Sequence, residues 1–244
     1  ADPLAKLWMR NMKKCSSKRD KVMEDVAARL KAIGVTSLSD ALDRLGIDGQ
    51  CLGIMGFTRE MSFAGPAFTV RMVPVGQTGG SVGDYIDDVK PGQVVVLDNN
   101  GRLDATVWGD ILTLVAHLNG IAGTVIDGVC RDVGRSIQLD YPVFARANTM
   151  RTGKDRVTAD AYNVTIQVAG VRVSPGDWVV GDGDGVVCIP SDAIEGILHT
   201  AEKIEAAEQK IRDAVQAGSR LDEARAKAGY HSLQSRAEPQ ARND

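Results

Sequence analysis

Apolar residues recur at helical spacing from Arg19 to about Ile33, with Val22, Met23, Val26, Leu30 and Ile33 on one face and Gly34 as the stop. The stretch TSLSDALDRLG, residues 36–46, predicts a second short helix, opened near Thr36 and Ser37 and closed by Gly46. Residues 47–66 are rich in glycine and carry no period, which predicts an irregular connection.

From Ala67 the pattern changes to β. The runs are AFTVRMV, QVVVLD (93–98), GTVID (123–127), PVFA (142–145), NVTIQVAGVRV (163–173), DWVVGD (177–182) and GVVCIP (185–190). Their valines are nearly continuous rather than alternating, so several strands are expected to be covered on both faces, and helices must pack against the sheet. DILTLVAHLNG, residues 110–120, is such a helix and joins two buried strands as a βαβ crossover. Later strands separated by SPGD and GDGDG break that alternation. The expected fold is mixed α/β: a partly barrel-like sheet flanked by helices, like a swivelling α/β/α domain, rather than a doubly wound nucleotide-binding sheet.

Ser191 to Gly218 reads as one long helix, with Ser191 as cap and a stripe of Ile194, Ile197, Leu198, Ala201, Ile204, Ala207, Ile211 and Val215. At about 27 residues it would reach roughly 40 Å, longer than a domain of this size needs. Its far end is expected either against another subunit or in solvent. The chain thus divides into an N-terminal extension (1–17), a single α/β domain (18–218, including helix 191–218) and a polar tail (219–244), in which RAEPQARND is expected to be disordered.

Composition narrows the function. The chain has 244 residues, 43% hydrophobic and 25% charged, enough for one large core. A net charge of -3, with its basic residues dispersed, disfavours nucleic acid and anionic membranes as partners and leaves a small molecule or a protein. Cys15, Cys51, Cys130 and Cys188 form no CxxC pair, and Cys130 and Cys188 lie in strand-like runs as expected buried thiols. Without a membrane-length apolar run or a signal-peptide core, the expected location is the cytoplasm.

The candidate chemistry lies around the crossover helix. Asp110 stands at its start, where the amides of Ile111 and Leu112 lack intrahelical partners and favour an anion. The following strand delivers DGVCRD, in which Gly128 allows a turn and Arg131 and Asp132 emerge near the same end of the sheet. Arg131 can grip a carboxylate with two donors, and Asp110 and Asp132 are hard oxygen donors suited to Mg²⁺ or Mn²⁺. The plainer alternative makes Asp110 a helix cap and Arg131–Asp132 a surface pair.

WGDILTLVAHLNGIAGTVIDGVCRD resembles the class II pyruvate aldolases that act on 4-hydroxy-4-methyl-2-oxoglutarate and 4-carboxy-4-hydroxy-2-oxoadipate, together with the related regulators of ribonuclease activity A. The match rests on Asp110, twenty intervening residues, then Arg131 and Asp132. It extends more weakly through SLSDALDRLG, FAGPAFTV, KPGQVVVLD and GDGDGVVCIP to the C-terminal helix. The resemblance implies that Asp132 holds the divalent metal and Asp110 acts through a metal-bound water, while Arg131 and the amides of Ile111 and Leu112 hold the pyruvyl group. It implies a metal-dependent lyase that cleaves a hydroxy-oxoacid substrate to pyruvate, with oxaloacetate decarboxylation as a companion activity. It also implies a homotrimer or homohexamer with sites between subunits. In the regulators the position of Asp110 is commonly glycine, so its presence here favours the lyase branch over the alternative, a non-catalytic binding protein.

One departure stands out: three positions after Asp132, where the family usually has an acid, this chain has Arg135. Arg135 could meet a second substrate carboxylate, pair with an acid such as Asp104, or mark altered chemistry. Gly79 and Gly80, within GQTGGSVGD, are candidate pocket lining without a phosphate-loop spacing. His117, His199 and His231 form no recognisable nucleophilic pair. Glu202, Glu205 and Glu208 read as a solvated helix face, with Glu205 or Glu208 a candidate acid for a neighbouring subunit's site.

Overall fold

The computed structural model describes residues 18–76 and 80–230. It opens with helices α1 (Lys18–Ile33) and α2 (Val35–Leu45), followed by β1 (Met55–Gly56), β2 (Phe63–Pro74), a 3-10 turn (Asp84–Asp88) and β3 (Val94–Thr106). Next come α3 (Asp110–Leu118), β4 (Gly123–Cys130), α4 (Val133–Gln138) and β5 (Val143–Asn148). β6 (Val157–Tyr162), the hairpin β7 (Ile166–Val168) and β8 (Val171–Val173), β9 (Trp178–Asp182) and β10 (Gly185–Ile189) precede α5 (Ile194–Gln216) and α6 (Leu221–Ala228).

The main sheet is mixed, in the order β1-β5-β4-β3-β2-β9-β10, with β6 also paired to β2. β2, β3, β4 and β5 run parallel, and α3 makes the crossover from β3 to β4 that the sequence predicts. β2 changes partner along its length, since Phe63–Pro66 pair antiparallel with β9 and Ala67–Arg71 pair parallel with β3. The sheet then curls until the segment before β1 meets β10, where Gln50 bridges Val187. That contact makes the architecture barrel-like, as expected.

Val94, Val96, Val125, Phe144 and Phe63 fill the inside of this barrel. Residues of the opposite face of the same strands, Val95, Leu97 and Ile126, pack with Ala116 of α3 and with Trp108 and Tyr141. Another cluster joins α1, α2 and α5 to β9 and β10 through Leu30, Leu38, Leu42, Ile197 and Leu198. The continuous valine runs are thus explained by apolar partners on both faces. Among the described residues, no helix is long and apolar enough to cross a membrane.

Several expectations are corrected. Residues 47–66 are not wholly irregular: β1 lies within them and β2 begins at Phe63, because Pro66 sits where the strand exchanges β9 for β3 and its missing N–H interrupts little. The run 163–173 folds as a hairpin instead of one strand, since Ala169 and Gly170 both take positive φ (49° and 87°) as its turn. β6, which sequence pattern did not reveal, is a partly exposed strand on β2. α2 starts at Val35, and its amide finds a carboxylate elsewhere in the chain, Asp182 Oδ2 at 2.8 Å, in place of a Thr36 or Ser37 cap.

The long helix starts at Ile194, three residues after Ser191, and spans 23 residues, about 35 Å. Ser191 is no side-chain cap; its amide donates to Asp177 Oδ1 at 3.0 Å. The tail also begins with more order than its polarity suggests. Leu221–Ala228 forms α6, with Asp222 and Glu223 in its first turn, Arg225 and Lys227 in its last, and Ala224 buried. The N-terminal extension, RAEPQARND, Gly79 and His231 lie outside the described residues.

Candidate functional site

The site forms where β4 ends and α3 begins. At Gly128 the strand does not turn as expected but continues to Cys130. Gly128 instead has φ 159°, and a side-chain carbon there would lie 3.0 Å from Asn99 Cβ and 3.1 Å from the Arg102 carbonyl, so the irregular middle of β3 can press against it. The chain turns at Asp132, a non-glycine residue in the left-handed region (φ 57°), from which α4 departs. That conformation is uncommon and costs of order 1 kcal/mol, and asparagine and aspartate tolerate it best.

The start of α3 is held rigidly. The buried Trp108 ring stacks on Tyr141 at 6.4 Å, its Nε1–H donates to Thr113 Oγ1 at 2.9 Å, and the Thr113 hydroxyl donates to the Gly109 carbonyl at 2.9 Å. The Arg131 amide donates to the Trp108 carbonyl at 3.0 Å, tying the strand end to the helix entry. Gly109 is the N-cap, so Asp110 occupies the first helical position instead of being the cap itself.

These constraints bring Asp110, Arg131 and Asp132 together. Asp132 Oδ2 accepts the Asp110 backbone N–H at 3.3 Å and lies 3.3 Å from Arg131 Nε. A side-chain carbon at Gly109 would sit 3.0 Å from the same carboxylate oxygen and 3.3 Å from Arg131 Nε, so the glycine is needed for this close approach. The Arg131 and Asp132 side chains are 42% and 41% exposed, so a solute can reach them. An ion pair that open contributes about 0–1 kcal/mol to stability, too little to account for the arrangement on structural grounds.

Ile111 is exposed beside this cluster, and Leu112 is half-buried against Gly83. Gly80 packs against Thr158 of β6, where any side-chain carbon would collide with the Thr158 hydroxyl. Its role is close packing beside the loop that meets α3. Arg135 lies one turn into α4, its amide on the Asp132 carbonyl at 2.9 Å and its Nη1–H on Gln138 Oε1 at 3.3 Å. Asp104 is not its partner: that carboxylate pairs with Arg102 at 3.0 Å and Arg151 at 3.6 Å, and the Arg102 hydrogen bond holds it below the usual carboxylate range. Cys130 is buried next to Arg131, and burial pushes its thiol up to about 12, which keeps it protonated and out of nucleophilic chemistry.

His117 is exposed at the far end of α3, and His199 is exposed on α5. Glu205 pairs with Arg212 and accepts the Ser37 hydroxyl at 3.1 Å, Glu208 pairs with Arg212 at 3.4 Å, and Glu202 pairs with Arg29 at 2.7 Å. Within one chain these acids brace α5 rather than join the cluster. Gly109, Trp108 and Thr113 escape sequence reasoning, although WGDILT carries all three, because their contribution is to geometry and not to charge.

Whether the site suits a divalent cation can be judged from its donors. Asp132 Oδ1 accepts no hydrogen bond among the described residues, and Asp110 offers a second exposed carboxylate. Among the described residues no group of three or more His, Cys, Asp or Glu side chains converges as a metal cage. Two hard oxygen donors open to water fit an ion such as Mg²⁺, which keeps most of its own hydration.

A model of the RraA-like family, described as Aldolase/RraA, matches residues 35–188. The chain is 37% identical over 206 residues to Protein DlpA of Legionella pneumophila; the match covers 83% of this chain but only 34% of that protein, so the chain spans about a third of its length. It is 34% identical over 197 residues to a Halalkalibacterium halodurans protein named "Putative 4-hydroxy-4-methyl-2-oxoglutarate aldolase", covering 79% of this chain and 91% of that one. Among solved structures, an uncharacterized protein from Pseudomonas syringae pv. tomato superposes with TM-score 0.78 at 41% identity, covering 83% and 97% of the two chains. RraAS2 of Streptomyces coelicolor, titled an unusual member of the RNase ES inhibitor RraA protein family, gives TM-score 0.72 at 27% identity over 77% and 96%.

Proposed function

Because the chain belongs to the RraA-like (Aldolase/RraA) family, we propose that it is a lyase that cleaves a 4-hydroxy-2-oxo di- or tricarboxylic acid by retro-aldol reaction to pyruvate and a second oxoacid. The observation that carries this reading is the meeting of the Arg131 guanidinium and the Asp110 backbone amide on one oxygen of the Asp132 carboxylate, at the mouth of a helix N-terminus.

Arg131 spends Nε on Asp132 and keeps its terminal nitrogens for the substrate's 1-carboxylate and 2-oxo group. The amides of Ile111 and Leu112, at the positive end of the α3 dipole, add donors to the same group. Asp110 orients the water that receives the 4-hydroxyl proton. As that proton leaves, the C3–C4 bond breaks, its electron pair passes into the pyruvate enolate, and Arg131 stabilises the developing oxyanion. Protonation at C3 then gives pyruvate. The same stabilisation serves oxaloacetate, where CO₂ is the leaving group. Asp132, with Asp110 through water, would hold Mg²⁺ or Mn²⁺, which when bound supplies Lewis-acid stabilisation of the same enolate charge. The half-exposed cluster and the bare Ile111 beside it suit a site completed by a neighbouring copy in a homotrimer or homohexamer.

The structural likeness to RraAS2 favours one other reading, a non-catalytic binding protein of the ribonuclease-regulator type. Pyruvate release separates the two. The protein with Mg²⁺ or Mn²⁺ is expected to form pyruvate from 4-hydroxy-4-methyl-2-oxoglutarate, 4-carboxy-4-hydroxy-2-oxoadipate or oxaloacetate well above a protein-free blank, as read by a coupled lactate dehydrogenase assay. Rates equal to the blank with all three would support the binding protein instead.

A further inference from the structure

The barrel is closed at one seam by a short irregular segment instead of a full strand. Gln50 bridges Val187, the Cys51 amide donates to the Val186 carbonyl at 2.9 Å, and the Cys188 amide donates to the Gly49 carbonyl at 2.7 Å. Inside this seam the sulfurs of Cys51 and Cys188 stand 3.6 Å apart, both side chains buried in the barrel's apolar interior. We propose that Cys51 and Cys188 form an oxidative modification site, cross-linked by peroxide into a disulfide that staples the seam shut.

The geometry asks for little movement. Two sulfurs at 3.6 Å are already in van der Waals contact, and a disulfide of about 2.05 Å needs an approach of roughly 1.5 Å. The adjustment falls on the Cys51 side. Its segment lies between Gly49 and Gly53 (φ 79°), next to the exposed Leu52, whereas Cys188 is fixed by the full β9–β10 ladder. Among the described residues Cys130 makes no such sulfur contact, so the pair is set apart by position and not by composition.

The chemistry is a two-electron oxidation of the dithiol by a hydroperoxide. Cys51 is the attacking residue because its segment, beside the exposed Leu52, is the side that can open to the oxidant, whereas Cys188 is held in the β9–β10 ladder and its thiol is pushed up by its hydrogen bond with Cys51 and by burial. As the Cys51 thiol gives up its proton, its sulfur attacks one peroxide oxygen, the O–O bond breaks, and the departing hydroxide takes up that proton as water, leaving a sulfenic acid on Cys51. The Cys188 sulfur then attacks the Cys51 sulfur, hydroxide leaves, and it takes up the Cys188 proton as a second water. Peroxide is the reactant for this site because it is small and uncharged and needs only a brief opening of the seam.

The full-length chain treated with hydrogen peroxide, quenched with catalase, alkylated after denaturation and digested should yield a Cys51–Cys188 linked peptide about 2 Da lighter than its separate parts. Cys130 should remain alkylated, and dithiothreitol should restore the two free thiols. The oxidised chain should melt about 5–10 °C higher than the reduced one, since the cross-link closes a long loop. In hydrogen exchange the Cys51 and Cys188 amides should become slower. Cys51→Ser should lose the linked peptide and the melting shift together. Recovery of Cys51 and Cys188 as separately alkylated, separately over-oxidised or linked to other cysteines would overturn the proposal, a result readable in the wild-type chain even if the variant does not fold.

Discussion

Replacing Arg131 with lysine is expected to lower kcat/KM for pyruvate release by about 10²–10³-fold, the loss that follows removal of one well-placed oxyanion donor. Lysine keeps the positive charge, so a site that needed charge alone would tolerate it. The geometry asks for more. Arg131 Nε is committed to Asp132 Oδ2 at 3.3 Å while the far end of the same planar group remains available, and an ammonium cannot make both contacts in fixed register. Folding should be untouched: the side chain is 42% exposed, and its pair with Asp132 is worth about 0–1 kcal/mol. The check is steady-state kinetics beside a thermal melt. An unchanged melting temperature with a rate within threefold of wild type would count against the assigned role.

Phe63→Ala should be the most costly single truncation for stability, about 3–5 kcal/mol. Phe63 is 2% exposed and meets Phe144 edge-on at 5.0 Å and 84°. Its ring also rests on two glycines, Gly123 of β4 and Gly181 of the adjacent β9: a side-chain carbon at Gly123 would lie 2.9 Å from it, and one at Gly181 would collide with it. Once the ring is removed, neither glycine offers atoms to refill the space, so the cavity persists. The position matters as well, because Phe63 opens the part of β2 that pairs with β9 before the strand turns to β3. In a chain of 244 residues the melting temperature should fall by roughly 8–15 °C. A fall under about 3 °C would mean that the barrel interior repacks.

The parallel core was legible because burial on two faces leaves continuous valine runs, and α3 because Asp110 through Leu118 follows a single helical face. Elements specified by non-local partners were hidden. β2 begins four residues early because β9 supplies hydrogen bonds to Phe63–Pro66, and α2 starts at Val35 because Asp182, far along the chain, receives its amide. The Ala169–Gly170 turn read as strand because its flanking valines outweighed a two-residue signal. The charged members of the site were likewise visible, as Asp110, Arg131 and Asp132 stand out beside apolar runs. What aims them was not: Gly109 permits the close approach, the Trp108–Thr113 hydrogen bond fixes the helix entry, and Asp132 turns the chain through a left-handed conformation.

On the reading proposed above, Asp132 and its neighbours make a cation-assisted enolate site. Its most direct test is pyruvate release from oxaloacetate with Mn²⁺ or Mg²⁺, measured for wild type, for Asp132→Ala and for the metal without protein. Wild-type turnover is expected well above the metal blank, abolished by EDTA and reduced to the blank by Asp132→Ala while the melting temperature stays within a few degrees. Wild type and Asp132→Ala turning over alike, or both matching the blank, would contradict that reading.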